Sequence, residues 1–206
     1  MYYLKDLMRA EQGKTDNPID MALKNYERVT TYRVTLRSKS GRSAEEIRYF
    51  YKSGYVRMEF ISPFRGAVLI YNPIKNEVIL KPFRITNFAV PLSPDNDMIR
   101  SAAGHRVHES DIGSMLRVAA ELRSKGTTQI IGEEMIGGRR ALLVRVTGNE
   151  HVAISGIHAY AFWLDQETCL PLKAVAYDLS GESREEILMD DLETNIDLPD
   201  ELFSLS

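Results

Sequence analysis

The sequence predicts a mainly β, α+β fold: one antiparallel sheet, curved or rolled into a barrel or sandwich, with a short helical insert. Three observations carry that expectation. Apolar residues alternate with period two from Thr30 onward, turn signals recur about every ten residues, and the alternation lapses between Ser93 and Gly126.

The 206 residues, 44% of them hydrophobic, suffice for one sizeable core, so a single domain spanning 1–206 is expected, with its helical insert at about 93–126. A formal net charge of −3 leaves no basic surplus to neutralise phosphates, which argues against nucleic acid as a partner. Cys169 is the single cysteine, which excludes an internal disulfide and any all-cysteine metal site. No apolar run approaches the roughly 20 residues that span a bilayer, and Met1 to Met8 lacks the apolar region of a secretory signal. A cytoplasmic protein and an exported one whose leader or anchor has been removed both fit.

In chain order, Tyr3, Leu4, Leu7 and Met8 suggest a short amphipathic helix. A stronger one follows, with Asn17 as cap, Pro18 in the first turn, and Ile19, Ala22, Leu23, Tyr26 and Val29 as a stripe that should lie on a sheet. Tyr32, Val34 and Leu36 begin the strands. Ile47, Tyr49 and Tyr51 then lead through a Ser53-Gly54 turn to Val56, Met58 and Phe60. Ala67 to Tyr71 is apolar on both faces, as a central strand covered on both sides would be, and Val78 and Leu80 mark its partner. Ser93 and Pro94 open a helix predicted over Pro94 to Ala103, stopped by Gly104, and a second is predicted over Asp111 to Lys125. Strands resume at Thr127, turn at Gly137-Gly138, and continue over 142–146, 159–164, 172–179 and 184–190.

Phosphate-binding glycine loops, dinucleotide fingerprints, nucleophile elbows and zinc-protease pairs are missing from the sequence, so no enzyme is expected and no cofactor is implied. His105, His108, Glu109 and Asp111 come nearest to a metal set, but they straddle Gly104 and lead into a helix cap, where solvated loop residues are the simpler reading. Asp165 and Thr168 have the chemistry of a turn that bonds its own backbone. What stands out is large apolar side chains. Tyr49, Tyr51, Met58, Phe60, Val68, Ile70, Val78, Leu80, Tyr160, Phe162 and Leu164 come from strands, and Met98, Ile99, Met115 and Leu116 from the insert. They form either an ordinary core or the wall and lid of a hydrophobic cavity; methionine on a lid suits ligands of varied shape.

Tyr55-Val56-Arg57-Met58-Glu59-Phe60-Ile61-Ser62-Pro63, then Leu69-Ile70-Tyr71-Asn72-Pro73, resembles the LolA/LolB-like periplasmic lipoprotein-carrier superfamily. Phe162 to Lys173 is similar to that family's late hairpin, and Ile196 to Phe203 to its C-terminal ending. The resemblance implies an unclosed antiparallel barrel with a helical lid, a hollow for acyl chains of lipids or lipoproteins, a periplasmic location and no catalysis. The chain departs from the carriers in its long insert, in Cys169 at a turn, and in Lys52-Ser53-Gly54 where LolA has Arg-Pro. An RseB-like envelope-sensing domain, which binds a membrane-associated protein partner, shares the architecture and is the alternative; an enzyme on the same scaffold is the third reading.

Overall fold

The computed structural model of the chain describes residues 17–82, 88–101 and 103–204. The expected helix over Tyr3 to Met8 lies outside them. The first half holds α1 (Pro18–Tyr26), β1 (Thr31–Ser40), β2 (Ser43–Lys52), β3 (Tyr55–Ser62), β4 (Val68–Asn72), β5 (Glu77–Lys81) and β6 (Val90–Leu92). The second holds α2 (Ile112–Ser124), β7 (Gly126–Ile136), β8 (Arg139–Gly148), β9 (Ala159–Asp165), β10 (Pro171–Tyr177) and β11 (Ser183–Thr194), with single 3-10 turns at Asp97–Ile99, Val107–Glu109 and Asp200–Phe203. The strands form one antiparallel sheet of eleven, ordered β6-β5-β4-β3-β2-β1-β11-β10-β9-β8-β7, which keeps two edges and does not close into a barrel. Among the described residues no helix is long and apolar enough to cross a membrane.

The chain divides into two compact units: Met1–Arg28 with Ile112–Leu188, and Val29–Asp111 with Met189–Ser206.

In the first unit, α1 starts as its sequence requires, the Asn17 side-chain oxygen accepting from the Ile19 amide at 3.0 Å with Pro18 in the first turn. Its buried residues Ile19, Ala22 and Tyr26 pack mainly on α2, which lies on β7, β8 and β9 and buries Ile112, Leu116, Ala119 and Leu122. Arg123 and Asp20 join the two helices at 2.9 Å. The β7–β8 hairpin turns through Gly137 and Gly138 at φ +55° and +81°, a left-handed pair that side chains with a Cβ resist. The side of the sheet away from α2 shields itself with cations on aromatic rings: Lys173 sits 4.7 Å from the Trp163 ring and Arg145 5.0 Å from that of Tyr177.

The second unit is a meander from β1 to β6. Tyr32 pairs with Tyr51, Tyr49 with Met58, Met58 with Leu69 and Tyr71 with Val78, so the large alternating residues stand on one face. The opposite face of β2 to β4 is covered by the end of the chain: Phe50 and Ile70 form a cluster with Leu198 and Phe203, joined by Tyr55, Val68, Ile196 and Leu202. Three side chains hold that cover to the strands. The Thr31 hydroxyl donates to the Ile196 carbonyl at 2.6 Å, Lys52 Nζ to the Leu198 carbonyl at 2.6 Å and Arg57 to the Leu202 carbonyl at 2.9 Å. The sandwiching expected of β4 is therefore present.

The expected helix over Pro94 to Ala103 is not formed, and only the 3-10 turn Asp97–Ile99 stands there. Short polar side chains take the amides that a helix would use. Asp95 N donates to Ser93 Oγ at 3.2 Å, Met98 N to Asn96 Oδ1 at 2.9 Å and His105 N to Ser101 Oγ at 3.0 Å. The second expected helix is α2.

Candidate functional site

The second unit presents three rows of cross-strand partners on one face. One row runs Val34, Tyr49, Met58, Leu69, Leu80, Val90; the next Tyr32, Tyr51, Val56, Tyr71, Val78, Leu92; and a shorter one joins Leu36, Ile47 and Phe60. Pairing registers place these residues together because side chains directly opposite across antiparallel strands share a face. The Tyr32 ring stacks on both Tyr49 and Tyr51, at centroid distances of 5.7 and 5.0 Å. Tyr49 and Val78 are fully buried, while Tyr51, Phe60, Leu80, Val90 and Leu92 keep partial exposure.

The 3-10 turn Val107–Glu109 meets this face. Val107 is buried, and the His108 ring lies 5.9 Å from that of Tyr71. Burial drives the Tyr49 phenol far above its ordinary range, and the negative charge of Asp111 pushes the same way, so the hydroxyl keeps its proton at every physiological pH. One polar atom here, Nδ1 of His108, is buried without a hydrogen-bond partner among the described residues.

The residues expected at a cavity are divided. Tyr49, Tyr51, Met58, Phe60, Val78 and Leu80 share the face just described. Val68 and Ile70 do not: β4 turns them to the opposite side, where they pack with the C-terminal segment, a one-residue offset that reverses the face. Tyr160, Phe162 and Leu164 are buried in the first unit, on the strands that α2 packs against, where α2 buries Leu116 and leaves Met115 partly exposed. Met98 is 82% exposed on its 3-10 turn, and Ile99 is partly exposed beside it. Sequence reasoning missed Val107 and placed His108 in a solvated loop; alternation gives no signal for a residue on a single turn.

Among the described residues, no three His, Cys, Asp or Glu side chains gather as a metal set. Asp165 does serve its turn, its Oδ1 accepting from the amides of Glu167 and Thr168 at 2.7 and 2.9 Å, while Oδ2 meets Arg139 at 2.6 Å. That ion pair went unread in the sequence.

The profile of the MucB/RseB N-terminal domain matches residues 90–204, more than half of the chain. The chain belongs to the MucB/RseB N-terminal domain family. The matched stretch runs from β6 to Ser204, so the rows of β1 to β5 precede it. No curated protein matches the sequence directly.

Solved structures extend the likeness of this MucB/RseB-type domain at the level of fold. A chain of the Pseudomonas aeruginosa MucA/MucB complex is similar at a TM-score of 0.56 and 14% identity, over 92% of this chain and 60% of that one. An uncharacterised conserved protein from Thermus thermophilus gives 0.54 and 14% over 90% of each chain. Lipoprotein LppX of Mycobacterium tuberculosis gives 0.52 and 12% over 88% of this chain and 95% of its own. The chain thus spans about three fifths of the MucB-complex chain that it matches. Together with the family match, these neighbours bear out the resemblance to the lipoprotein-carrier superfamily.

Proposed function

We propose that this chain is a non-enzymatic domain that binds lipid acyl chains on the tyrosine-lined face of β1 to β6, serving lipid or lipoprotein transport in the bacterial periplasm. One observation carries the reading: a continuous apolar face six strands wide, met by the 3-10 turn Val107–Glu109. Each methylene moved from water onto such a surface contributes about 0.8 kcal/mol, so half of a long acyl chain suffices for useful affinity. The fold shared with lipoprotein LppX supports it. Mass spectrometry of an organic extract of the purified protein, with titration of a pyrene-labelled acyl probe, tests it. A co-purifying lipid and saturable probe binding are expected. No lipid and no saturable binding sink the proposal.

A second reading is favoured by the family itself. In an RseB-like sensor the same face takes up lipid, and another surface of the chain answers to a protein partner, as the Pseudomonas aeruginosa chain stands in complex with MucA. Isolation of a stable complex whose affinity changes on adding lipid separates the sensor from the carrier.

A further inference from the structure

The sheet ends on two unlike edges. One, β6, is three residues long and carries Pro91, which removes a backbone donor and blunts it. The other, β7, is eleven residues long, pairs only with β8 among the described residues, and carries neither proline nor lysine. Of the nine large apolar side chains exposed among the described residues, three stand on this strand: Ile130 at 47%, Ile131 at 56% and Met135 at 61%. A long edge of this kind is a template for another strand. The register shift between Ile130 and Gly132 bends it, so a partner cannot run flat along all eleven residues and the regular stretch is 132–136. Glycine at 132 is required neither by a left-handed φ nor by close packing, since a Cβ there would meet nothing within 4 Å. Glycine weakens a strand interior, and one that the chain's own packing does not need suits the close approach of a second backbone. Ile136 pairs with Arg139 across a two-residue turn, where the flanking residues bond to each other. Alternation then turns the amides and carbonyls of Met135 and Glu133 outward.

We propose that β7 is a docking edge for an extended segment of another polypeptide, which adds a strand through the outward groups of Glu133 and Met135. The segment sets a Lys or Arg opposite Glu133, with an apolar residue two positions to either side. That pattern mirrors the strand's own order, in which Glu133 stands two residues from Ile131 and two from Met135. Main-chain bonds hold the segment, and the alternate side chains select it. The charged side chains of β7 are Glu133 and Glu134, so a basic segment complements the edge. A second copy of this chain fits less well. Antiparallel pairing of two 132–136 stretches would set Glu134 opposite Glu134 and crowd four carboxylates together, and like charges opposed across strands repel. The proposal depends on neither reading of the acyl-binding face.

The test uses the whole chain and a fluorescein-labelled heptapeptide, Thr-Val-Thr-Lys-Thr-Val-Thr amidated at its C-terminus, beside the same peptide with Glu at its centre, both read by fluorescence anisotropy. Saturable binding of the lysine peptide is expected, about threefold tighter than the glutamate peptide at low salt, with the preference lost in about 1 M salt. Met135→Pro removes an outward donor without touching the β7–β8 ladder. It should keep a cooperative melt and lower lysine-peptide affinity about tenfold. Glu133→Lys should reverse the preference between the two peptides, which keeps the test decisive should the proline variant fold poorly. Acyl-probe affinity should be unchanged in both variants, so this outcome and that of the acyl-binding reading stay separate. No saturable peptide binding, equal affinity of the two peptides for wild type, an unreversed preference in Glu133→Lys, or undiminished binding by a folded Met135→Pro each overturns the proposal. A wild-type dimer that Met135→Pro dissolves would also overturn it, by assigning the edge to a second copy.

Discussion

Arg57, whose side chain is 15% exposed, donates from Nη1 to the main-chain oxygen of Leu202 at 2.9 Å while its Nε meets Glu59 at 2.8 Å. A charged strand residue thereby holds the end of the chain over Phe50 and Ile70. Its position makes it a structural tether, and Arg57→Met should cost about 1 to 3 kcal/mol in urea unfolding, the range for losing a bond from a charged donor. Acyl-probe affinity per folded molecule should be unchanged, and a variant as stable as wild type would refute the tether.

Met58 and Ile70 lie on adjacent strands and face opposite ways. Met58→Asp should abolish acyl-probe binding in a protein that still gives a cooperative melt, because the carboxylate stands among the apolar rows. Ile70→Asp should instead lower stability by more than about 3 kcal/mol by burying a charge beneath the C-terminal segment. Similar binding loss in both, at similar stability, would refute the face assignment.

Asp165 is 1% exposed and joins a turn to Arg139. Asp165→Asn keeps an oxygen for the amides of Glu167 and Thr168 but gives up the charge opposite Arg139. The expected cost is about 1 to 3 kcal/mol, with acyl binding retained. A double-mutant cycle with Arg139→Met should return a coupling near that figure; additive effects would mean that the pair contributes nothing.

Burial, with the negative charge of Asp165 adding to it, raises the Cys169 thiol from its ordinary value of 9.0 to about 11. Native protein at pH 8 should react with a disulfide reagent roughly a hundred times more slowly than the unfolded chain, since only thiolate attacks. Because the folded thiol holds its proton longer than the unfolded one, the thiol's contribution to stability should fall as pH rises from about 9 to 11. Ordinary labelling rates in the folded state would contradict this.

Sequence periodicity by itself determined most of the strands, their antiparallel order within each meander, the capped start of α1, the extent of α2 and the turn at Asp165. Each follows from local chemistry: alternation, a side-chain cap, glycine at positive φ. Local chemistry also explains the one failed helix, where Ser93, Asn96 and Ser101 compete for backbone amides. Tertiary structure alone decided what covers each face. That Ile70 meets Phe203, that His108 meets Tyr71 and that α2 lies on β7 to β9 depends on strand register and on chain ends returning across long sequence separations. Alternation states that two faces exist. Only packing states what covers each of them.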